Sequence, residues 1–377
     1  MLTDRIRQFL DSRRFDGPVV VVDREVVREN YEAFARALPD TRIYYAVKAN
    51  PAPEILELLA GLGSNFDTAS VTEIRQVLAA GASPDRISYG NTIKKERDIA
   101  TAFELGVDLF AVDAVEEVEK VARAAPGARV FCRVLTDGEG AEWPLSRKFG
   151  CTADMAITVL EHAHRLGLQA RGVSFHVGSQ QNDLGAWDKA LELSAYVFQT
   201  LAERGIRLSM VNMGGGFPAR YLKEIPGVMD YAGAIFGALR KHFGNRLPET
   251  IIEPGRGMVG NAGVIRSEVV LISKKAADDD KRWVYLDIGK FGGLAETMDE
   301  AIRYPIRTRH DGGATGDCVI AGPTCDSADV LYEKAPYALP ISLEIGDEVL
   351  IESTGAYTTT YSAVQFNGFA PLASYVI

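Results

Sequence analysis

Between about Val26 and Gly260 the chain alternates short apolar runs with stretches that repeat hydrophobic residues at helical spacing. The apolar runs predict strands at Arg42–Val47, Asn65–Thr68, Ile87–Tyr89, Leu109–Val112, Arg129–Leu135, Gly172–His176, Met210–Met213 and Thr250–Ile252. The amphipathic stretches predict helices at Pro53–Leu62, Val71–Ala80, Lys94–Leu105, Val115–Ala125, Ala153–Arg165, Leu184–Arg204 and Met229–Phe243. Eight strands alternating with helices are the signature of an α/β chain folded as a (β/α)8 barrel. A doubly wound sheet is the competing arrangement, but the GxGxxG turn it uses after its first strand is absent.

After Gly260 the pattern changes. Val264–Ser273, Lys281–Asp287, Ile302–Thr308, Asp317–Gly322 and Asp347–Ser353 are β-branched or alternating runs separated by turn clusters such as AADDD and HDGGATGD. They predict a mostly β second domain, a sandwich or small barrel, which the early run Pro18–Val22 is expected to join. The division that follows is a barrel over residues 24–262 and a β domain built from residues 1–23 and 263–377. The N-terminal stretch MLTDRIRQFLDSRRFDGP reads as a short amphipathic helix rather than a secretory signal. No apolar run approaches the roughly 20 residues that span a bilayer, so no membrane partner is expected.

Composition narrows the function. With 377 residues, 47% of them hydrophobic, the chain can bury a large core without a disulfide or metal staple. A formal charge of -10 makes nucleic acid an unfavourable partner, because phosphate neutralisation needs a basic surface. The four cysteines, Cys132, Cys151, Cys318 and Cys325, form no CxxC pair. That disfavours zinc and redox motifs, leaves no metal expected, and suits a reducing, cytoplasmic setting.

Several motifs fall at predicted strand ends. Lys48 in YYAVKAN ends the first barrel strand, at the rim where barrel enzymes place their chemistry. Partial burial there would lower its pKa and favour a Schiff base, although taken alone it reads as a snorkelling lysine. His176 in SFHVGSQ points at the same rim, and Ser179 three residues on suits a phosphate or a turn. Gly214, Gly215 and Gly216 let backbone N–H groups approach an anion. Glu253 and Arg256 in EPGR leave the last strand together, the arginine suited to a phosphate and the acid to a protonated ring nitrogen. In the β domain, Cys325 in GPTCDSAD is a candidate proton donor or structural thiol, and Tyr357 in GAYT a candidate exposed phenol. Together they are the parts needed for pyridoxal phosphate.

These six motifs, in this order, resemble the fold type III pyridoxal-phosphate decarboxylases, whose barrel is shared with alanine racemase. The resemblance runs from about Pro18 to the C-terminus and is strongest toward ornithine decarboxylases, in particular short bacterial forms that also take lysine. It implies that Lys48 carries pyridoxal 5'-phosphate as a Schiff base, His176 stacks on its ring, and Glu253 pairs with the ring nitrogen. Ser179, Gly216 (with Gly215 beside it), Arg256 and Tyr357 would hold the phosphate, and Asp67 in FDTAS and Arg133 in FCRV match two further positions behind the cofactor. It also implies a homodimer in which Cys325 and Asp326 enter the partner's site, Cys325 protonating the α-carbon, with Lys148 and Asp329 matching an intersubunit salt bridge. Phe366 in QFNGF matches an aromatic of the substrate cavity.

Charge complementarity then sets the substrate. A distal ammonium needs an acid, a distal carboxylate an arginine. Asp326 is one acid, and the segment Gly293–Ala301, which sets specificity in this family, offers Asp299 and Glu300, with the preference given to Glu300. Arg303 nearby keeps a carboxylate-ended substrate open. The expected reaction is loss of CO2 from L-ornithine to give putrescine, from L-lysine to give cadaverine, or both. The alternatives are another decarboxylase of this fold acting on diaminopimelate or arginine, an amino-acid racemase, and a non-catalytic homologue that binds a protein partner.

Overall fold

The computed structural model describes residues 2–143 and 148–377. The chain divides into two compact units, Arg28–Pro218 with Ile225–Met258, and Met1–Val27 with Ala219–Glu224 and Val259–Ile377.

The first unit is a closed barrel of eight parallel strands. In chain order they are Thr41–Ala46, Asn65–Thr68, Ile87–Tyr89, Leu109–Val112, Arg129–Arg133, Gln169–Ser174, Met210–Asn212 and Glu249–Ile252. The eighth closes on the first with Thr250 opposite Thr41, and the two hydroxyls meet at 2.8 Å. Most strand positions are buried on both faces, as expected when helices cover a parallel sheet. Tyr44, Leu109, Ala111, Phe131, Met210 and Ile251 fill the interior. Helices follow the strands at the expected places. Ser70 caps Val71–Ala79 by accepting from the Glu73 N–H, and Thr152 caps Ala153–Arg165 by accepting from the Met155 N–H. The sixth strand starts three residues earlier than its apolar run predicts and stops at Ser174, which leaves His176 in the following loop.

The second unit is an eight-stranded sheet. Its main path orders Ile306–Thr308, Glu348–Glu352, Gly263–Ser273, Arg282–Leu286, Thr315–Ala321 and Val330–Pro340. Val19–Val22 pairs antiparallel with the start of Gly263–Ser273 and parallel with Ala373–Val376, so both ends of the chain share the sheet. Helix Asp4–Asp11 buries Ile6 and Leu10 against Val19, Val21 and Val264. Val330–Pro340 is a strand the sequence pattern does not reveal. Its middle, Glu333-Lys334-Ala335-Pro336, is exposed, and two register shifts break its pairing, so no two-residue alternation survives. Ala219–Glu224 joins this unit because the Ser353 hydroxyl donates to the Arg220 carbonyl at 2.7 Å and Tyr221 meets Tyr304 edge-on at 5.3 Å.

Candidate active site

The barrel strands end at one rim, and the residues that follow them bring the polar groups together. The first strand stops at Ala46, and Lys48 sits in the single 3-10 turn Val47–Ala49. Val47 and Ala49 are buried anchors, and the Tyr45 hydroxyl donates to the Asn50 carbonyl at 2.9 Å to fix the turn. Lys48 itself is exposed. It lies in the turn two residues past the strand's last residue, Ala46. Its electrostatic neighbours are Asp67, Glu73 and His176.

Asp67, on the second strand, is buried and holds its proton well above the usual carboxylate range. Burial is the main cause and the Glu253 charge adds to it, against the pull of Lys48 and of the Ser88 hydroxyl. Glu73 is raised too, chiefly by burial, although its carboxylate accepts the Ala69 N–H at 2.6 Å. Arg133 ends the fifth strand, its guanidinium 5.4 Å from the Phe149 ring centre. Burial lowers its pKa while Glu253, Asp67 and Asp113 pull the other way. His176 is held neutral well below its usual range by burial, then by the Arg133 and Lys48 charges. Its Nδ1 accepts the Gly178 N–H at 3.0 Å, which turns the other ring nitrogen, Nε2, toward Gly215.

Three loops, carrying Ser179, the Gly214–Gly216 run and Arg256, come together at this rim. Arg256 is only 4% exposed, and its Nη2 lies 3.1 Å from the Ser179 hydroxyl. Gly214 and Gly216 have φ of 63° and 101°, where a side chain would be strained. A Cβ on Gly214 would lie 2.0 Å from the Phe175 carbonyl, and one on Gly215 2.6 Å from the Glu253 carbonyl and 3.4 Å from His176 Nε2. The glycine run therefore packs against both the imidazole loop and the EPGR turn. Glu253 is held by Asn212, whose Nδ2 donates to Oε1 at 2.5 Å.

Three contributors and one further buried cation were not singled out from the sequence. Asn212 carries a signal, a polar residue inside the apolar strand just before three glycines. Glu73 carries one also, in the Ser-x-x-Glu spacing at a helix start. Gln181 is fully buried and ties the loops together: its N–H donates to the Gly216 carbonyl, its amide to Glu139 and Val177 carbonyls, and its own carbonyl accepts the Tyr231 hydroxyl. Lys94, completely buried, donates to the Asn91 and Ala111 carbonyls and pairs with Glu117 at 3.1 Å. Burial pushes it down to about 8, with Glu117 partly offsetting the effect. Nothing in its sequence neighbourhood announces this.

The remaining predicted residues lie in the second unit. Cys325 is exposed, and its N–H donates to Asn367 Oδ1 at 3.0 Å. Asp326 is exposed, and one of its oxygens accepts the Ala328 N–H. Phe366 packs on Phe291 with ring centres 4.9 Å apart. Tyr357 is half-buried rather than exposed and adopts φ of 56°. Asp329 is buried and accepts from the Lys290 and Thr324 N–H groups and the Thr324 hydroxyl, all in its own chain. Lys148 lies 4.8 Å from the Phe149 ring centre.

The segment with Asp299 and Glu300 shows a sharper division. Glu300 accepts the Glu333, Lys334 and Ala335 N–H groups and pairs with Arg303 at 2.6 Å. Its carboxylate is committed to the Val330–Pro340 strand rather than open to a ligand. Asp299 is 83% exposed and meets Lys334 at 3.0 Å. Arg303 also donates to the Ala335 and Pro336 carbonyls and stacks on Tyr332, which commits it as well. Among the described residues, no group of three His, Cys, Asp or Glu side chains is arranged to hold a metal.

Residues 24–260 match the family model for the pyridoxal-dependent decarboxylase, pyridoxal binding domain. The chain belongs to the pyridoxal-dependent decarboxylases. It is 35% identical over 360 residues to a lysine/ornithine decarboxylase of Selenomonas ruminantium, covering 95% of this chain and 89% of that protein. The solved structure of that bacterium's lysine decarboxylase with pyridoxal phosphate and cadaverine matches with a TM-score of 0.89 at 33% identity, over 100% of this chain and 94% of that one. A lysine/ornithine decarboxylase of Vibrio vulnificus complexed with cadaverine matches with a TM-score of 0.88 at 30% identity, over the full length of both chains. The fold is that of the fold type III decarboxylases, and the cofactor is pyridoxal phosphate. The barrel rim fits that cofactor: a buried arginine, a serine hydroxyl and a glycine run that a Cβ would obstruct suit a phosphate, and Glu253 and neutral His176 suit the ring.

Proposed function

We propose that the protein decarboxylates a basic L-amino acid with a distal ammonium, L-ornithine, L-lysine or both, releasing putrescine or cadaverine and CO2. The observation that carries this reading is the pairing at one rim of a lysine among carboxylates with a buried arginine–serine anion site. The relatives and neighbours reported above, with their lysine, ornithine and cadaverine, support the substrate class.

In this reading Lys48 holds the cofactor, Ser179, Gly215, Gly216, Arg256 and Tyr357 hold its phosphate, and His176 stacks on its ring. When bound, pyridoxal phosphate supplies a cationic ring that accepts the electron pair released as the substrate carboxylate leaves. Glu253, oriented by Asn212, holds the proton on the ring nitrogen. Asp67 and Arg133 pack behind that group, the Asp67 carboxyl raised chiefly by burial and the Arg133 guanidinium lowered by it. His176, kept neutral, adds no competing positive charge beside the ring.

Cys325 and Asp326 act in the site of a partner subunit within a homodimer, with Lys148 and Asp329 at that interface and Phe366 in the substrate cavity. Cys325 delivers a proton to the carbon that has lost CO2. Asp326 receives the distal ammonium, with Asp299 the second acid, since Glu300 is committed to backbone N–H groups and Arg303. The commitment of Arg303 also leaves a distal carboxylate without its natural partner there, which favours ornithine and lysine over diaminopimelate. One methylene in a pocket is worth about 1–3 kcal/mol, so activity on both substrates is expected.

The test is CO2 release from L-ornithine, L-lysine, L-arginine and meso-diaminopimelate, with pyridoxal phosphate present. Diamine formation from the first two, abolished in Lys48→Ala, supports the proposal. Turnover confined to arginine or diaminopimelate overturns the assignment of Asp326 and Asp299, and turnover of none overturns the catalytic reading.

A further inference from the structure

Cys132 and Cys151 are 18 residues apart in intervening sequence, and no motif connects them. The fold places their sulfurs 3.6 Å apart. Cys132 lies on the strand Arg129–Arg133, facing outward and completely buried. Cys151 lies opposite that strand's extension, its N–H donating to the Arg133 carbonyl at 3.0 Å and its carbonyl accepting the Leu135 N–H at 2.8 Å. Cys151 keeps partial solvent access. The pair thus brackets the backbone of Arg133, whose guanidinium is an electrostatic neighbour of Glu253, Asp67 and His176.

We propose that Cys132 and Cys151 are a peroxide-sensitive dithiol whose reversible oxidation to a disulfide weakens cofactor binding through Arg133. The coupling to the cofactor rests on the site assignment above, whereas the disulfide itself does not. Half-exposed Cys151 is the sulfur a peroxide reaches, and buried Cys132 is the one that resolves it. The contact with Cys151 and burial raise the Cys132 thiol's pKa, and either sulfur can donate across the 3.6 Å contact.

The chemistry balances in two steps. Cys151 sulfur attacks hydrogen peroxide, the O–O bond breaks, and sulfenic acid and water form. Cys132 sulfur then displaces that hydroxyl as a second water, so two thiols lose two electrons and two protons and the peroxide is reduced. A disulfide requires about 2.05 Å between the sulfurs, well inside the present 3.6 Å. Closing that gap draws the Cys151 segment and the strand together across the Arg133 peptide. A thiol reductant reverses it.

The holoenzyme is treated with a small excess of hydrogen peroxide, then alkylated and mapped by mass spectrometry without reduction. The expected product is one peptide pair joining Cys132 to Cys151, lighter by two hydrogen atoms, with Cys318 outside the linkage. Pyridoxal phosphate affinity, followed by absorbance, is expected to fall at least tenfold and to return with dithiothreitol. Cys151→Ser, treated identically, should show neither the link nor the reversible loss, which separates the effect from oxidation of exposed Cys325. Free, alkylatable Cys132 and Cys151 after peroxide overturn the dithiol. A complete link with unchanged affinity overturns the coupling through Arg133.

Discussion

The Asn212 side chain grips Glu253 with one end and the glycine run with the other. Its Nδ2 donates to Glu253 Oε1 at 2.5 Å, and its Oδ1 accepts the Gly214 N–H at 3.0 Å. One buried amide therefore sets both the acid proposed to face the cofactor ring and the start of the proposed phosphate cradle. Asn212 is a positioning residue in this scheme.

Removing the Asn212 amide frees Glu253 and leaves a buried N–H unpaired. A hydrogen bond to a charged group contributes about 1.5–3 kcal/mol, so Asn212→Ala should lower kcat/KM roughly 10- to 100-fold by the same conversion. Weaker pyridoxal phosphate binding, seen by absorbance titration, should accompany it. Asn212→Asp keeps the shape but sets a carboxylate against Glu253, and it should be no better than alanine. Normal cofactor affinity in both variants would show that Glu253 is oriented by other means.

Glu300 anchors a strand. Burial alone would raise its pKa, but three backbone N–H groups and Arg303 outweigh burial and hold the carboxyl below its ordinary range. A depressed folded-state pKa contributes stability that is present above the unfolded value, about 4.3, and is lost as pH falls through the folded value. Glu300→Gln should destabilise the protein by about 1–2 kcal/mol at neutral pH and by less below pH 4, read by urea unfolding. Little change in the lysine-to-ornithine ratio is expected. A large change in that ratio would return Glu300 to the substrate pocket.

Lys94 has the opposite sign. Its folded pKa of about 8 lies below the unfolded value, so the unfolded chain binds the extra proton between those two values. The penalty for burying its charge is fully present below pH 8 and fades as pH rises toward about 10.4, the unfolded lysine value. Facing it are Glu117, Lys120, Asp113 and the Tyr89 ring. From pH 7.5 to 9.5, the wild type should gain roughly 2 kcal/mol relative to Lys94→Met, measured by denaturant unfolding at each pH. A pH-independent difference would show that Lys94 keeps its charge throughout.

The barrel was legible because its signals are local. Strands such as Leu109–Val112 are uniformly apolar, and helices such as Ala153–Arg165 keep a clean amphipathic period. Lys48, His176, Ser179, Glu253 and Arg256 stood out because they sit in ordered motifs at strand ends. What sequence did not show depends on pairing across the fold. The strand Val330–Pro340 looks like an exposed loop until its neighbours supply partners. The role of Glu300 appears only when that strand's N–H groups arrive. Cys132 and Cys151 read as unrelated cysteines because spacing along the chain carries no information about sulfurs that meet across a strand.

The stack of Tyr44, Leu109, Ala111, Phe131, Met210 and Ile251 makes the barrel a vessel with a solid floor. Side chains packed across the axis leave the mouth as the face where a ligand binds. Libraries built to retune this protein's preference among amino acids should therefore spare the floor, where a change of volume costs folding and reshapes no recognition surface. Diversity belongs in the loops around the mouth, where new side chains alter what is admitted while the vessel beneath them stays intact.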